Sequence, residues 1–389
     1  MQRDFHYYGT YCAASLAGYS HEESMAIAYS AELVDHCSRS FLAALKAPLS
    51  AATTQLAFEM ANARTDILGL QDITRIWASF HFLPYDLNRE VGKGGRRYRN
   101  KYRLICDTNG PLLRETVRLA KGKGLQAAGL AVHVLADTWA HRYFAGTPSL
   151  VINNMSRNVV ELVTREDGSI DEQPVKFRNS LSGDDLSTGI FTCTPTMNSE
   201  NTVMNLGHGR AGHLPDYSFA RYKYLPAWAE YHEILKDNPS DYYKAFCQMV
   251  YALSFLHGSH ESFETERYAT STVAPWEDRI RSFLVKRQLD IMDEWHALAT
   301  SITGRTLEDF SLDKYQQEYL CASPDEKNDT FLGKFILAAL EQKGMVTNKI
   351  YSSGNPLAGR SIEYREGAFA GMKDYLVLIS DAARRIGRG

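Results

Sequence analysis

Long hydrophobic runs are missing from this sequence. The most apolar stretch, Leu125 to Ala136, already carries Gln126 and His133 and stops at Asp137, short of the roughly 20 apolar residues a spanning helix needs. The opening Met-Gln-Arg-Asp-Phe-His lacks the basic end and apolar run of a secretory leader, so a cytoplasmic protein is expected. Cysteine is sparse and scattered: Cys12, Cys37, Cys106, Cys193, Cys247 and Cys321 form no CxxC pair. That excludes a disulfide framework and a thiolate zinc site, leaving reduced thiols packed as small apolar groups. The 12 prolines and 27 glycines are too few for collagen, low complexity or a long flexible linker, and no fixed-period repeat points to a solenoid. Charge of one sign is lacking too. With 43 basic and 46 acidic residues the net charge is −3, so any attraction to phosphate must come from a local patch. What remains is a 389-residue chain, 44% apolar, able to bury a large core.

Helical periodicity dominates. Ser20-His21-Glu22-Glu23 fits a capping box opening a helix that reaches about Phe41 to Leu45 and contains Asp35. Further helices are expected over Leu56–Asn62, Ile73–Phe80, Leu112–Tyr143, Ala227–Lys236, Tyr242–His257, Trp276–Ser301, Lys327–Lys343 and Gly367–Ile386. Between Pro148 and Val203 the texture changes. Val159 to Val163 and Pro174 to Phe177 read as short strands flanking an Asp167-Gly168 turn. The expected organisation is a helical metal-binding core over 1–147, a β-ribbon and loop insertion over 148–203, and the second part of the core with C-terminal helices over 204–389.

The sharpest chemical signal is His133-Val-Leu-Ala-Asp137-Thr-Trp-Ala-His141. Four residues of α-helix turn about 400°, so these side chains follow one another about 40° apart on one face. Neighbours four apart have Cβ atoms roughly 6 Å apart and can share an ion, whereas His133 and His141 stand about 12 Å apart along the axis and cannot. Asp137 is thereby set between two metal positions, and its two oxygens suit a bridge; imidazoles favour zinc, iron or copper over magnesium. The alternative is a polar stripe satisfied by hydrogen bonds. The apolar neighbours Leu130, Val132, Val134, Leu135, Ala136 and Ala140 argue for burial, where an uncompensated row of this kind would cost several kcal/mol.

Other donors are His6, Asp35, His81 and the glycine-rich loop Gly207 to Asp216, which carries His208, His213 and Asp216, with Arg210 placed to face an anion. Any single histidine among them is equally readable as a packed core residue. His257, His260, Glu261 and Glu264 read as a further ligand pair or, more simply, a solvated helix end. The segment 92–103 alternates Lys93, Arg96, Arg97, Arg99, Lys101 and Arg103 with Tyr98 and Tyr102. It suits phosphates and stacked bases, and a solvated surface loop explains it as well.

Taken in order, His6, Asp35, His81, the helix His133-Asp137-His141 and the later His213-Leu-Pro-Asp216 resemble the all-helical trinuclear zinc superfamily of zinc-dependent phospholipase C and the single-strand-specific zinc nucleases. The DFHYYGTY opening, the LADTWAH helix and GHGRAGHLPD look most like a bacterial family of uncharacterised proteins within it. The resemblance covers roughly residues 1 to 260 and implies an all-α fold, a helical bundle with a small β-hairpin insertion. It implies Asp35, His81, His133 and Asp137 around one zinc, Asp137 and His6 around a second, and His141 with His213 or His208 and Asp216 around a third. Two or three zinc ions are thus expected, other divalent transition metals being compatible. Two departures stand out. The secreted relatives use the amino group and carbonyl of an N-terminal tryptophan, for which Asp4 is the candidate replacement here. Their histidine after the bridging aspartate also comes later, near a proline, whereas His141 continues the helix.

The expected function is a metal-dependent phosphoester hydrolase using a metal-activated water, with Asp137, Asp35 and Arg210 as the catalytic candidates. Its expected substrate is a phosphodiester such as nucleic acid or phospholipid, met through the basic segment 92–103. The competing class is a non-catalytic protein whose metal cluster holds the fold while another surface binds a macromolecule.

Overall fold

A computed structural model describes residues 1–62, 67–155, 158–165, 167–178, 184–187, 189–191, 199–361, 364–365 and 368–369. The architecture is mainly helical with a small four-stranded antiparallel sheet. Five long helices carry the body: α1 His21–His36, α2 Ile67–Phe80, α3 Leu125–Ala140, α4 Asn238–His257 and α5 Phe331–Ser352. α3 is buried all round from Gln126 to Ala140 and packs against α1, α4 and α5. An amphipathic surface helix would expose one face to solvent; α3 exposes none, its His133 and Asp137 included, which makes it the central element.

α1 starts at the expected capping box: Ser20 Oγ accepts from Glu23 N at 3.2 Å, and Glu23 Oε2 accepts from Ser20 N at 2.9 Å. Its crossing with α3 is unusually close. A Cβ on Gly129 would stand 2.5 Å from Ser30 Cβ and 2.6 Å from the Ile27 carbonyl oxygen, so only glycine lets the helices meet there. Asp35 follows Ser30 by five residues and His133 follows Gly129 by four, so the same crossing brings these two side chains together.

Several expected boundaries differ. α1 stops at His36 because Ser38 caps a separate helix, Arg39–Ala44, and the Cys37 carbonyl accepts from Thr53 N. The expected helix 112–143 is two, Pro111–Ala120 and α3, divided where Gly122 and Gly124 take positive φ. The expected helix 276–301 is likewise divided into Glu277–Leu284 and Met292–Thr303, and the helix expected over Lys327–Lys343 starts at Phe331 and runs to Ser352. Over 227–236 the expected helix is replaced by a turn with positive φ at Glu230 and Tyr231, followed by a strand. Gly367–Ile386 and Cys193 fall partly or wholly outside the described residues.

The sheet has the order β2-β1-β3-β4, with β1 Val160–Thr164, β2 Ile170–Pro174, β3 Arg221–Tyr224 and β4 Ile234–Asp237. The Asp167-Gly168 turn joins β1 to β2 as expected, but the second strand lies earlier than Pro174–Phe177, with Val160 opposite Pro174 and Thr164 opposite Ile170. Two of the four strands come from beyond residue 203. In β3, Tyr222 and Tyr224 point inward and are fully buried, joining Phe82, Phe144, Tyr217 and Phe219 in a second, smaller core. This aromatic core buttresses the loop that carries His208. Among the described residues, Cys12, Cys37, Cys106 and Cys247 are buried free thiols and Cys321 is an exposed one. No described helix is long and apolar enough to cross a membrane.

Candidate metal centre

Five separate segments converge on Asp137. His6 comes from a π-helical turn, Asp4–Gly9, that runs into the helix Thr10–Leu16; Asp35 from the end of α1; His81 from just past α2; His133 and Asp137 from α3, with His141 at its C-cap; and His208 and Asp216 from the loop after Gly207. One carboxylate oxygen of Asp137, Oδ1, lies 3.1 Å from His6 Nε2. The other, Oδ2, lies 3.2 Å from His81 Nδ1, 3.3 Å from His133 Nε2 and 3.5 Å from His141 Nδ1. Asp35 stands beside the same imidazoles, 3.6 Å from His81 and 4.0 Å from His133 and His6. Beyond Asp137, His141 Nε2 meets Asp216 Oδ1 at 3.0 Å and His208 Nε2 meets Asp216 Oδ2 at 3.5 Å.

Among the described residues, three groups could hold a metal ion: His6, His133 and Asp137; Asp35, His81 and His133; and His141, His208 and Asp216. In each, the ligand atoms lie within 4.8 Å of one another. Donors about 2.0 to 2.1 Å from a tetrahedral ion are roughly 3.3 Å apart, the spacing found around Asp137.

Hydrogen bonds on the far side of the rings test the fit. Backbone carbonyls cannot donate, so a ring nitrogen facing one must carry the proton. His81 donates from Nε2 to the Thr53 carbonyl at 3.0 Å, His141 from Nδ1 to the His81 carbonyl at 2.7 Å, and His208 from Nδ1 to the Gly212 carbonyl at 2.7 Å. In the neutral form, the nitrogens left over (His81 Nδ1, His141 Nε2 and His208 Nε2) present lone pairs to carboxylate oxygens. Two acceptors that close need a cation or a proton between them, and fixing the ring through its outer nitrogen is how proteins orient histidine ligands. The residues therefore fit a metal.

Electrostatics divide the rings: burial opposes the charge on His133, but Asp137 and Asp35 outweigh it and push that ring up. Burial, reinforced by the neighbouring His133, pushes His6 down to about 3, and burial pushes His208 down to about 4, so both rings are neutral at pH 7. Burial opposes the charge on Asp137, but His141, the Met1 amine, His133 and His6 outweigh it and hold its carboxyl well below the usual range. Asp216 is held low in the same way by His208 and the Met1 amine against its burial. His6 also stacks on His133, ring centroids 3.9 Å apart, and Nδ1 of each is buried without a hydrogen-bond partner. The enclosure is uneven: Asp137 is 1% exposed, whereas the side chain of Asp35 is 33% exposed.

The sequence reasoning missed one group. The Met1 amino group lies 2.7 Å from Asp137 Oδ1 and 3.4 Å from both Asp216 Oδ1 and His141 Nε2. Its burial is outweighed by Asp137, Asp216 and Asp35, which push it up to about 11. No side-chain pattern could have signalled it. Asp4, the expected replacement at this position, instead accepts from Phe5 N at 2.7 Å and Ile291 N at 3.2 Å; burial pushes it up to about 7.

Other candidates lie elsewhere. Of the two loop histidines, His208 reaches the cluster, while His213 is 56% exposed and faces Asp184 at 3.3 Å, because Gly212 with φ +57° turns the chain between them. Gly207, also at positive φ, lies where a Cβ would run into the Phe82 ring; that ring stacks on His141 with centroids 4.7 Å apart. Arg210 donates from Nε to Asn205 Oδ1 at 2.6 Å, bracing its own loop. His257 is exposed at the end of α4 and His260 lies against Tyr251. The basic segment forms the short helix Arg96–Tyr102, and Lys101 within it is buried, its Nζ donating to the Pro148 carbonyl, Glu200 and Asn201 at 2.7 to 2.8 Å. Lys101 therefore pins the neighbouring segments together.

No curated protein and no solved structure matches this sequence. A family model matches residues 1–350, and the chain belongs to that family, the family of unknown function DUF6765.

Proposed function

We propose that the protein is a metal-dependent phosphoester hydrolase, built on the helical plan of the zinc-dependent phospholipase C and zinc nuclease superfamily. The observation that carries this reading is the set of imidazole lone pairs and carboxylate oxygens turned toward one another around Asp137.

In this reading His6, Asp35, His81, His133 and Asp137 hold the inner ion or ions, and His141, His208 and Asp216 hold the outer one, zinc being favoured by the imidazoles. Such ions supply a water of lowered pKa and neutralise charge building on a phosphoryl group. The chain's own part is positional. Thr53, His81 and Gly212 carbonyls aim three rings, and the aromatic core keeps solvent from their outer faces. Asp35, the most exposed of these carboxylates, marks the side open to substrate, and its neighbouring histidines outweigh burial to keep it ionised. An open side is what separates a catalytic metal site from a closed structural one. Lys93, Arg96, Arg97 and Arg99 are exposed and stay available to the phosphates of a nucleic acid or a lipid headgroup.

Metal analysis of the purified protein, followed by hydrolysis of bis(p-nitrophenyl) phosphate with and without chelator, tests the reading. The expected result is two or three zinc ions per chain and chelator-sensitive hydrolysis. Full metal content with no hydrolysis of phosphodiesters or phosphomonoesters would leave a structural cluster; protein without metal would refute both.

A further inference from the structure

A second feature has no part in the metal centre. A cavity of about 590 Å³ opens between the helix Arg39–Ala44, α2, α5 and the segment that follows α5. Arg39, Arg75, Lys343 and Arg360 line it, and among the described lining residues Asp72 is the one carboxylate. Asp72 pairs with Arg39. Arg75 donates from Nε to the Ala358 carbonyl at 2.6 Å, and Lys343 from Nζ to the Ala52 carbonyl at 2.9 Å. Leaving Lys343 out of the count, the three arginines and Asp72 carry a surplus of two positive charges among the described lining residues.

The wall also holds unsatisfied donors. Thr347 lines the cavity and is fully buried, yet its hydroxyl has no hydrogen-bond partner, nor does the buried Nε of Arg39. Leaving such groups unpaired is costly, which points to a ligand that pairs them. Gly359, at φ +64°, contributes room: a Cβ there would stand 2.5 Å from an Arg75 guanidinium nitrogen.

We propose that this cavity binds an organic phosphate monoester. A phosphate dianion brings three acceptor oxygens and nearly cancels the surplus charge, and arginine forks match its geometry. The volume is that of a site for a small organic molecule, typically about 300 to 1,000 Å³, far larger than phosphate alone needs. Leu49 and Ile76 provide apolar wall for the organic part. The site shares three segments with the metal centre: Arg39 lies four residues past Asp35, Ser50 three before Thr53, and Arg75 and Ile76 sit on the helix leading to His81. The proposal does not rest on hydrolysis.

Isothermal titration of the full chain with phenyl phosphate, and separately with inorganic phosphate, provides the test. A binding site that persists when chelator has removed metal is expected, tighter for phenyl phosphate than for inorganic phosphate. Arg360 is exposed, so Arg360→Gln leaves the fold intact and should weaken binding about tenfold or more, the loss of one charge-assisted hydrogen bond. Arg305→Gln, an equal change of charge at an exposed arginine that lines neither site, should leave binding unchanged. No binding of phenyl phosphate, equal affinity in Arg360→Gln, or equal weakening by Arg305→Gln would each overturn the proposal. Equal affinity for inorganic phosphate would overturn the organic part of the assignment.

Discussion

The two ends of the donor set are built differently. The inner end, His6, Asp35, His81 and His133, hangs on helices or their immediate ends, and its geometry follows from how α1, α2 and α3 cross. At the outer end, His141, His208 and Asp216 depend on a glycine-rich loop pressed against an aromatic core that includes strand β3. Asp137 stands where they meet: Oδ1 faces His6 and the Met1 amine, Oδ2 faces His81 and His133, and His141 Nδ1 comes within 3.5 Å of Oδ2. Helix crossings are set by many buried contacts, whereas a loop keeps its shape through a few hydrogen bonds and positive-φ residues. Changes that act on one end should therefore leave the other intact.

The largest effect is expected from Asp137→Asn. It removes the charge that His6, His81 and His133 face, so metal should be lost from the inner end and hydrolysis with it, as read by elemental analysis and phosphodiester assay of the purified variant. An Asp137→Asn protein with full metal content would show that the inner ion does not depend on this carboxylate. Gly129→Ala comes next and acts on the inner end alone. Its methyl group would press on Ser30 and Ile27, a packing conflict that typically costs about 1–3 kcal/mol. It would also part Asp35 from His133. A lowered melting temperature with loss of inner-end metal and retention of the outer ion is expected; stability and metal content equal to the parent would mean that the crossing tolerates a side chain.

Acid should act on both ends, but over different ranges. Above about pH 6.5 His208 is neutral whether the chain is folded or not. Between about 6.5 and 4 the unfolded chain takes up a proton that folded His208 refuses, so unfolding gains and stability falls as pH drops. His6, pushed down to about 3, extends the same loss further at the inner end. In chelator-treated protein the melting temperature should fall from pH 6.5 to 4, and His208→Gln should flatten that slope while the loss due to His6 persists. A slope unaffected by His208→Gln would mean that this ring is already protonated in the metal-free fold.

How much of this could be read beforehand follows the same division. The i, i+4 row on α3 was legible because helical spacing alone places His133, Asp137 and His141 on one face. His6, Asp35 and His81 were legible only as members of an ordered set, since none has a local partner that marks it as a donor. Gly129 carried no signal, because its role appears only when α1 lies against it. Helix ends at Gly122 and Gly124 and the strand Ile234–Asp237 were missed where positive φ at glycine, Glu230 or Tyr231 overrode a helix-like pattern. Lys101 read as a phosphate contact because charge in a sequence does not reveal burial; in the fold its ammonium is enclosed by three acceptors.

The smallest expected effect is also the sharpest test of the outer end. Spacing and resemblance left His208 and His213 as alternatives, five residues apart in one loop, and the turn at Gly212 sends them in different directions. His213 is over half exposed and faces one carboxylate, Asp184, so removing it costs at most a surface ion pair, about 0–1 kcal/mol. His213→Ala should keep the full metal content and hydrolyse phosphodiester within about twofold of the parent. His208→Ala should lose the outer ion, because it deletes one of the three donors His141, His208 and Asp216 and with it the carbonyl contact that aims the ring. The reverse pattern, metal lost from His213→Ala and kept in His208→Ala, would require the loop to close on the ion in a different turn, with Gly212 as its pivot.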